Sequence, residues 1–423
     1  MTLDEAVAYA IEHNPRVGGA AAQVRQARAR IGQQRALRGP QFGVNNNVFR
    51  QGPVIPGFSP GDPPAFPPYR WNVGVFLSQV IFDWGQRASR QSAAEREAAA
   101  AKYRMAETQN DVRLVVSAAF FNILRAQQLL NVAKERREAA AEQLRVAKAR
   151  FEADVAPRFD VIRTEAELAN AEQEVISAQN DVALANAAFN TALGRPVDTP
   201  VQIRFEPETP DPDVPFETAR EMGLESRPQL NALREEVRSS QHEVKARRAE
   251  NKPQVALSGA YDRPNPGGFA SSTYRYNLGL VMTWPFFDSG LTRNRVREAE
   301  GFLAEDQKAL EEARQQMELD VKQALLDIEE AERRIEVARK ELASAREALR
   351  VSDVRYRAGV GTNVEVTDAQ VAVARAGQNE ANALFDYETA IARLEYATGT
   401  TIEKLLAPPP AAPPAKGGAE PGK

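Results

Sequence analysis

The sequence predicts a mainly α-helical chain that also supplies four strands to a transmembrane β-barrel. Three observations carry this expectation. An internal duplication covers most of the 423 residues. Two helix-forming stretches are far longer than a globular core needs. Four short segments alternate apolar and polar residues.

The duplication is read from matched landmarks. Asp4-Glu5-Ala6 and Glu12-His13-Asn14-Pro15 return as Glu217-Thr218-Ala219 and Glu225-Ser226-Arg227-Pro228 at an offset of 213, as does Pro40-Gln41 in Pro253-Gln254. Farther along the offset is 205: Phe82-Asp83-x-Gly85 matches Phe287-Asp288-x-Gly290, and Gly194 matches Gly399. The 8-residue difference falls between Gln41 and Phe82, in the Pro/Gly-rich stretch 51–68, and an insertion there marks a surface loop. The chain thus reads as a first repeat, 1–200, a second, 201–400, and a tail, 401–423. Each repeat runs short helix, helix, strand, loop, strand, very long helix, turn, helix.

Residues 16–38 lack turn signals and read as helix until Gly39-Pro40 stops it. From 85 to 152 there is no Pro, and no Gly after Gly85, which at 1.5 Å per residue makes a rod of roughly 100 Å. Its copy, 291–357, is interrupted only by Gly301. Return helices follow at 158–193 and 362–398. Globular helices average ~11–12 residues, so rods this long mean a coiled coil or a tube. Val112, Val116, Ala119, Ile123, Ala126 and Leu130 step by 4 and 3, as do Met317, Val321, Ala324, Ile328, Ala331 and Ile335 in the copy. That period of 3.5 specifies left-handed supercoiling, and the alternate alanines let helices approach closely. Helices 16–38 and 158–193 together hold 59 residues against 68 in the rod, so the two can stack end to end beside it. On the helices alone, a soluble antiparallel bundle fits equally well.

The strands separate the two. Hairpins are expected at 40–82 and 253–287. In 71–82, Trp71, Val73, Val75, Leu77 and Ile81 share one face and Asn72, Gly74 and Ser78 the other, with Phe76 and Val80 as exceptions. In 274–284, Tyr274, Tyr276, Leu278, Leu280, Met282 and Trp284 oppose Arg275, Asn277, Gly279, Val281 and Thr283. The partners alternate more weakly, through Phe42, Val44, Asn46, Val48 and through Val255, Leu257, Gly259, Tyr261. Alternating segments of ~10 residues with aromatics near their ends are the pattern of a membrane-spanning strand. The aromatic girdle is expected from Trp71, Tyr274 and Tyr276 at the outer interface and Phe82, Trp84, Trp284, Phe286 and Phe287 at the inner one. The competing reading is a half-buried sheet in a soluble coiled-coil scaffold. Four strands cannot close a barrel, since known ones start at ~8, so closure needs two, three or four copies.

Composition narrows the function. A net charge of −4 gives no basic surplus for nucleic acid. Mean hydropathy is −0.47, and the best spanning candidate, Leu114 to Leu124, is interrupted by Ser117 and Asn122 and far short of the ~20 residues of a spanning helix. With no cysteine there are no disulfides or thiolate metal sites. Only His13 and His242 occur, 229 residues apart, and no H-E-x-x-H, G-x-S-x-G or Walker loop is present. No catalysis, cofactor or metal is expected. Met1 runs directly into an amphipathic segment without a basic or apolar leader, and the expectation is that an export signal has been removed.

At Trp284-Pro285-Phe286-Phe287-Asp288-Ser289-Gly290, echoed by Ile81-Phe82-Asp83-Trp84-Gly85, the chain resembles the TolC outer-membrane efflux family. Arg355-Tyr356-x-x-Gly359-x-x-Thr362-x-x-Glu365-Val366-x-x-Ala369-Gln370 is similar to the family's helix–turn–helix pattern, and Leu3-x-Glu5-Ala6…Asn14-Pro15 to its start. The resemblance runs from Leu3 to about Thr400. It implies a homotrimer with a 12-stranded barrel in outer-membrane lipid, a 12-helix periplasmic tube, a periplasmic adaptor and an inner-membrane pump. It also implies a belt from residues 195–215 and the chain ends; the tail 407–423 reads as disordered from its Pro, Ala and Gly content.

The rod–return turns, 151–160 and 356–365, are expected at the periplasmic tip. Thr362-x-x-Glu365 reads as a capping box and Pro157 as a first-turn proline, so helix capping alone accounts for Glu365. The resemblance implies an acidic gate from Glu365 and Asp368, with Asp160 and Tyr356, in which three copies make a cation-attracting ring. The family can carry a latching arginine at the position of Gly361. Val155, Ala156, Val360 and Gly361 are the expected adaptor-docking tip.

Overall fold

The computed structural model describes residues 1–50, 69–205, 214–264 and 273–406. The expected loop 51–68, the tail 407–423 and residues 206–213 of the expected belt lie outside the described residues. Contacts divide the chain into two compact units, and each draws on both sequence repeats.

The first unit comprises 1–20, 105–230 and 313 onward. It contains α1 (Leu3–His13), most of α3 (Gln86–Glu152), α4 (Arg158–Leu193), α5 (Phe216–Ser226), most of α7 (Leu291–Arg357), α8 (Asn363–Thr398) and α9 (Ile402–Leu406). The expected heptad positions are its core: Val112, Val116, Ile123, Met317, Val321 and Ile328 are all buried. Phe120, Phe189 and Leu193 are fully buried beside them, with the Phe205 ring 6.2 Å from that of Phe120. The duplication reappears as geometry. Gly194 ends α4 at φ 79° against Asn14 and Pro15, and Gly399 ends α8 at φ 70° against Arg227 and Pro228. Of the expected belt, Arg204 N–H donates to Met1 O at 3.0 Å. Two short features were not anticipated: α9, and a full capping box at α1, where Thr2 and Glu5 exchange bonds.

The second unit, 21–104 and 231–312, holds most of α2 (Pro15–Ala36) and α6 (Pro228–Arg248), the starts of α3 and α7, and the strands. Strands β1 (Gln41–Arg50), β2 (Tyr69–Phe82), β3 (Gln254–Pro264) and β4 (Arg275–Thr283) form one antiparallel sheet in that order. The hairpins of the two repeats are therefore joined through β2 and β3.

Register puts the apolar alternations of all four strands on a common face. Val44 lies opposite Val75, Val75 opposite Tyr261, and Tyr261 opposite Tyr276. The other face carries Asn45, Gly74, Asp262 and Arg275 in the same cross-strand row. One of the exceptions in β2, Phe76, has a cause in its cross-strand partner. Phe76 pairs with Gly43, and its ring occupies the place of the missing Cβ. Val80 precedes a β-bulge, after which Phe82 pairs with Val255 and so joins the apolar face.

The strand-to-rod junctions explain the Phe-Asp-x-Gly motif. Asp83 accepts from the N–H of Gly85 and Arg87, and Asp288 from those of Gly290 and Thr292, so each carboxylate serves as the first-turn cap of a rod. Trp84, Gly85, Ser289 and Gly290 all have positive φ, the sharp turn that strand-to-helix reversal requires. Arg87 adds an asymmetric tie, donating to Asp83, to Leu37 O and to Val80 O.

Candidate functional site: the rod–return turns

In the first unit, the rods α3 and α7 end in the same way. Asp154 at φ 58° and Gly359 at φ 76° take the left-handed position after each helix. Val155 N–H donates back to Arg150 O (2.9 Å) and Val360 N–H to Arg355 O (3.0 Å). Together with the Asp154-to-Phe151 and Gly359-to-Tyr356 bonds, these are two Schellman closures, which satisfy carbonyls that a helix end leaves open. Gly361 answers to a different demand. A Cβ there would lie 3.0 Å from Tyr356 N and Arg355 Cβ, so any side chain at this position requires the end of α7 to give by a few tenths of an ångström.

Helix α8 starts with Thr362 as N-cap, its hydroxyl accepting from Glu365 N–H at 3.3 Å. The reciprocal half of the expected box is missing. Glu365 instead accepts from the Thr362 hydroxyl and pairs with Arg355 Nε at 3.5 Å. Pro157 is the N-cap of α4, one position earlier than its expected place.

The expected gate residues are brought together in part. Tyr356 is buried, and the Arg150 guanidinium sits 4.5 Å over its ring while donating to its carbonyl oxygen. Burial raises the phenol above its ordinary pKa; Arg150 opposes the rise and the nearby Asp160 carboxylate adds to it. The phenol oxygen has no hydrogen-bond partner among the described residues. Glu365 and Asp368 lie three residues apart on an exposed side of α8. Asp368 makes no ion pair or hydrogen bond among the described residues, so its charge is the less compensated of the two. Beneath them Gln143 donates to Asn363 at 2.6 Å, a buried amide pair joining α3 to α8.

Of the expected docking residues, Val155 and Val360 are strongly exposed, at 63% and 70%, while Ala156 and Gly361 are half-buried. The sequence reading missed Arg150, and it missed Phe159, Ile162 and Val364, which extend the apolar surface of the turns. Phe159 and Ile162 carried a usable signal, being large apolar residues in the first turns of α4 beside an exposed loop. In the second unit, the expected girdle residues Trp84, Tyr274, Tyr276, Trp284, Phe286 and Phe287 are exposed, and Trp71 is partly so, donating to Asn46.

Known proteins place this architecture. The family model for outer membrane efflux proteins matches residues 7–195 and 220–400, each sequence repeat once. The outer membrane protein TolC of Vibrio cholerae is 25% identical over 346 residues, 79% of this chain and 77% of that protein. The alkaline protease secretion protein AprF of Pseudomonas aeruginosa is 23% identical over 337 residues, 78% of this chain and 70% of that protein. Among solved structures, the Vibrio cholerae outer membrane protein VceC superposes with a TM-score of 0.82 at 18% identity, covering 95% of this chain and 96% of that one. The Campylobacter jejuni CmeC outer membrane channel gives 0.82 at 19%, covering 94% and 85%.

The fold and its matches define a channel protein of the outer membrane rather than an enzyme. The chain belongs to the outer membrane efflux protein family.

Proposed function

We propose that three copies of this chain close a 12-stranded barrel and a helical tube, forming a passive duct gated at the rod–return turns. The observation that carries this reading is the single four-stranded sheet with β1 and β4 as open edges, each strand continuing into or out of a long helix. Four strands cannot close, and an open edge in lipid leaves backbone groups unsatisfied. A second copy supplies the missing partner strand. Exposed Ile162, Ile176 and Leu184 on α4, and Leu319, Leu326 and Val337 on α7, are apolar surfaces of the kind that packing against further copies covers.

The two repeats, 1–200 and 201–400, then each contribute one hairpin, one rod and one return helix. The girdle aromatics sit at the two membrane interfaces. Val155, Ala156, Val360 and Gly361 form the surface that meets a periplasmic adaptor, and an inner-membrane pump completes the system. Asp368, Glu365 and Asp160 supply the negative mouth, with Asp368 the strongest because Glu365 is paired with Arg355. Tyr356 holds the turn beneath them. The names of relatives range from alkaline protease secretion to cobalt-zinc-cadmium resistance, which fits a duct whose cargo is set by its partners.

The cysteine-free chain makes the test direct. Val44→Cys on β1 is combined in turn with Leu278→Cys, Leu280→Cys or Met282→Cys on β4, all on the apolar face. Oxidation in detergent is expected to give, in one of these registers, a product of three times the 46.5 kDa protomer mass. Monomer alone in every register, from folded protein, overturns the closed trimer.

A further inference from the structure

In the second unit, β1 and β3 begin and β2 and β4 end along one edge of the sheet, as the pairs Gln41–Ser78, Val255–Phe82 and Gln254–Thr283 show. Four helix ends therefore meet the chain there. The segments 35–38, 83–90, 245–252 and 288–297 carry eleven arginines and lysines against three carboxylates, in a chain whose net charge is −4. All three carboxylates are engaged. Asp83 and Asp288 cap the rods, and Glu250 accepts from Arg90, Arg247 and Arg295. Arg35, Lys245, Lys252, Arg293 and Arg297 remain exposed with no carboxylate partner among the described residues.

Lys252 is the most tightly placed of these cations. Trp84 Nε1–H donates to Pro253 O at 2.9 Å and Trp284 Nε1–H to Asn251 O at 3.1 Å, so one indole fixes each side of its turn. The Lys252 ammonium lies 5.0 Å from the Trp84 ring centroid. Indoles of a girdle lie at headgroup level, and a lysine held between two of them reaches the same plane.

We propose that this edge is a basic collar that binds the phosphate headgroups of anionic phospholipids, with Lys252 at its centre and Arg293 and Arg297 beside it. The proposal rests on the sheet spanning the membrane. The five unpartnered cations at this edge repel one another, and an anionic bilayer surface supplies a matching layer of charge at the height of the aromatic belt. Trp84 and Trp284 set the depth, and the collar sets which lipid gathers there.

The test uses the full chain with Trp71→Phe, which leaves Trp84 and Trp284 as the only indoles because the sequence has three tryptophans. The protein is reconstituted in phosphatidylcholine vesicles containing a fraction of either brominated phosphatidylglycerol or brominated phosphatidylcholine, and indole quenching is read at low salt. Phosphatidylglycerol is expected to associate about fivefold more strongly, the effect of one basic residue at the surface. Lys252→Gln with Arg293→Gln and Arg297→Gln brings the two lipids to parity, while inorganic phosphate weakens the preference no more than other salt of equal ionic strength. Equal quenching by both lipids in the unsubstituted collar overturns the collar and leaves the girdle intact. No quenching by either lipid overturns the girdle, and the collar with it.

Discussion

Arg150 holds the turn after α7, and its removal has a calculable local effect. Its guanidinium donates to Tyr356 O and covers the Tyr356 ring at 4.5 Å. A hydrogen bond from a charged donor contributes about 1.5–3 kcal/mol, and a partly buried cation–π contact about 1 kcal/mol. Arg150→Met therefore weakens the closed turn by roughly 3 kcal/mol. The amides that report this opening are Val360 and Gly361, both bonded to Arg355 O at 3.0 Å. At about 1.4 kcal/mol per decade, their exchange protection should fall about 100-fold, with distant amides of α4 unchanged. Arg150→Lys keeps the charge but loses the planar fork, and should fall between the two. The assay is hydrogen–deuterium exchange by mass spectrometry on peptides spanning 350–366. Unchanged protection at Val360 and Gly361 in Arg150→Met refutes the reasoning, because the contact would then be incidental.

Two further predictions concern stability. Gly399→Ala places a Cβ 2.9 Å from Arg227 Cα at φ 70°, whereas Gly85→Ala at φ 80° meets nothing within 4 Å. Both carry the roughly 1–2 kcal/mol of a left-handed L-residue, and only Gly399→Ala adds about 1–3 kcal/mol of overpacking. Thermal unfolding followed by helical circular dichroism should rank Gly399→Ala well below Gly85→Ala, and equal shifts contradict the close approach. Glu388 is buried in α8 without a partner for one carboxylate oxygen, and burial pushes its pKa up to about 7. The folded state thus holds its proton where the unfolded chain has lost it. This group's contribution to stability falls as pH rises from about 4.5 to about 7 and is level above that, a change of roughly 3 kcal/mol. Glu388→Gln should remove that slope and raise the melting temperature at pH 8 but not at pH 4; an unaltered pH profile contradicts it.

Much of the fold is legible because its signals are long and redundant. The rods are marked by sixty-odd residues without Pro and with Gly301 as their one glycine, and their ends by Asp83 and Asp288, whose carboxylates cap the first turn. Strand faces follow from period-two alternation, which register confirms except where one residue is inserted. The bulge before Phe82 gives no local sequence sign, and Phe76 on the polar face makes sense only beside Gly43, 33 residues away. The tip was less legible for the same reason. Arg150 and Tyr356 are 206 residues apart in sequence, and Arg150 sits among other basic residues of a solvated rod. Thr362 is placed as the N-cap by its spacing to Glu365, but the Glu365 carboxylate does not close the box, and its ion pair with Arg355 depends on how tightly the Gly359–Gly361 turn folds back. Glu388 reads as one more surface glutamate, since nothing in its neighbours announces burial.

The most direct measurement of the central claim is single-channel conductance of the detergent-purified protein in a planar bilayer, with and without millimolar divalent cations, alongside Asp368→Ala. A gated outer-membrane duct with an acidic mouth predicts discrete cation-selective steps that divalents block. The variant should give larger steps and a weaker block. A silent membrane, or steps whose block is identical in Asp368→Ala, contradicts it.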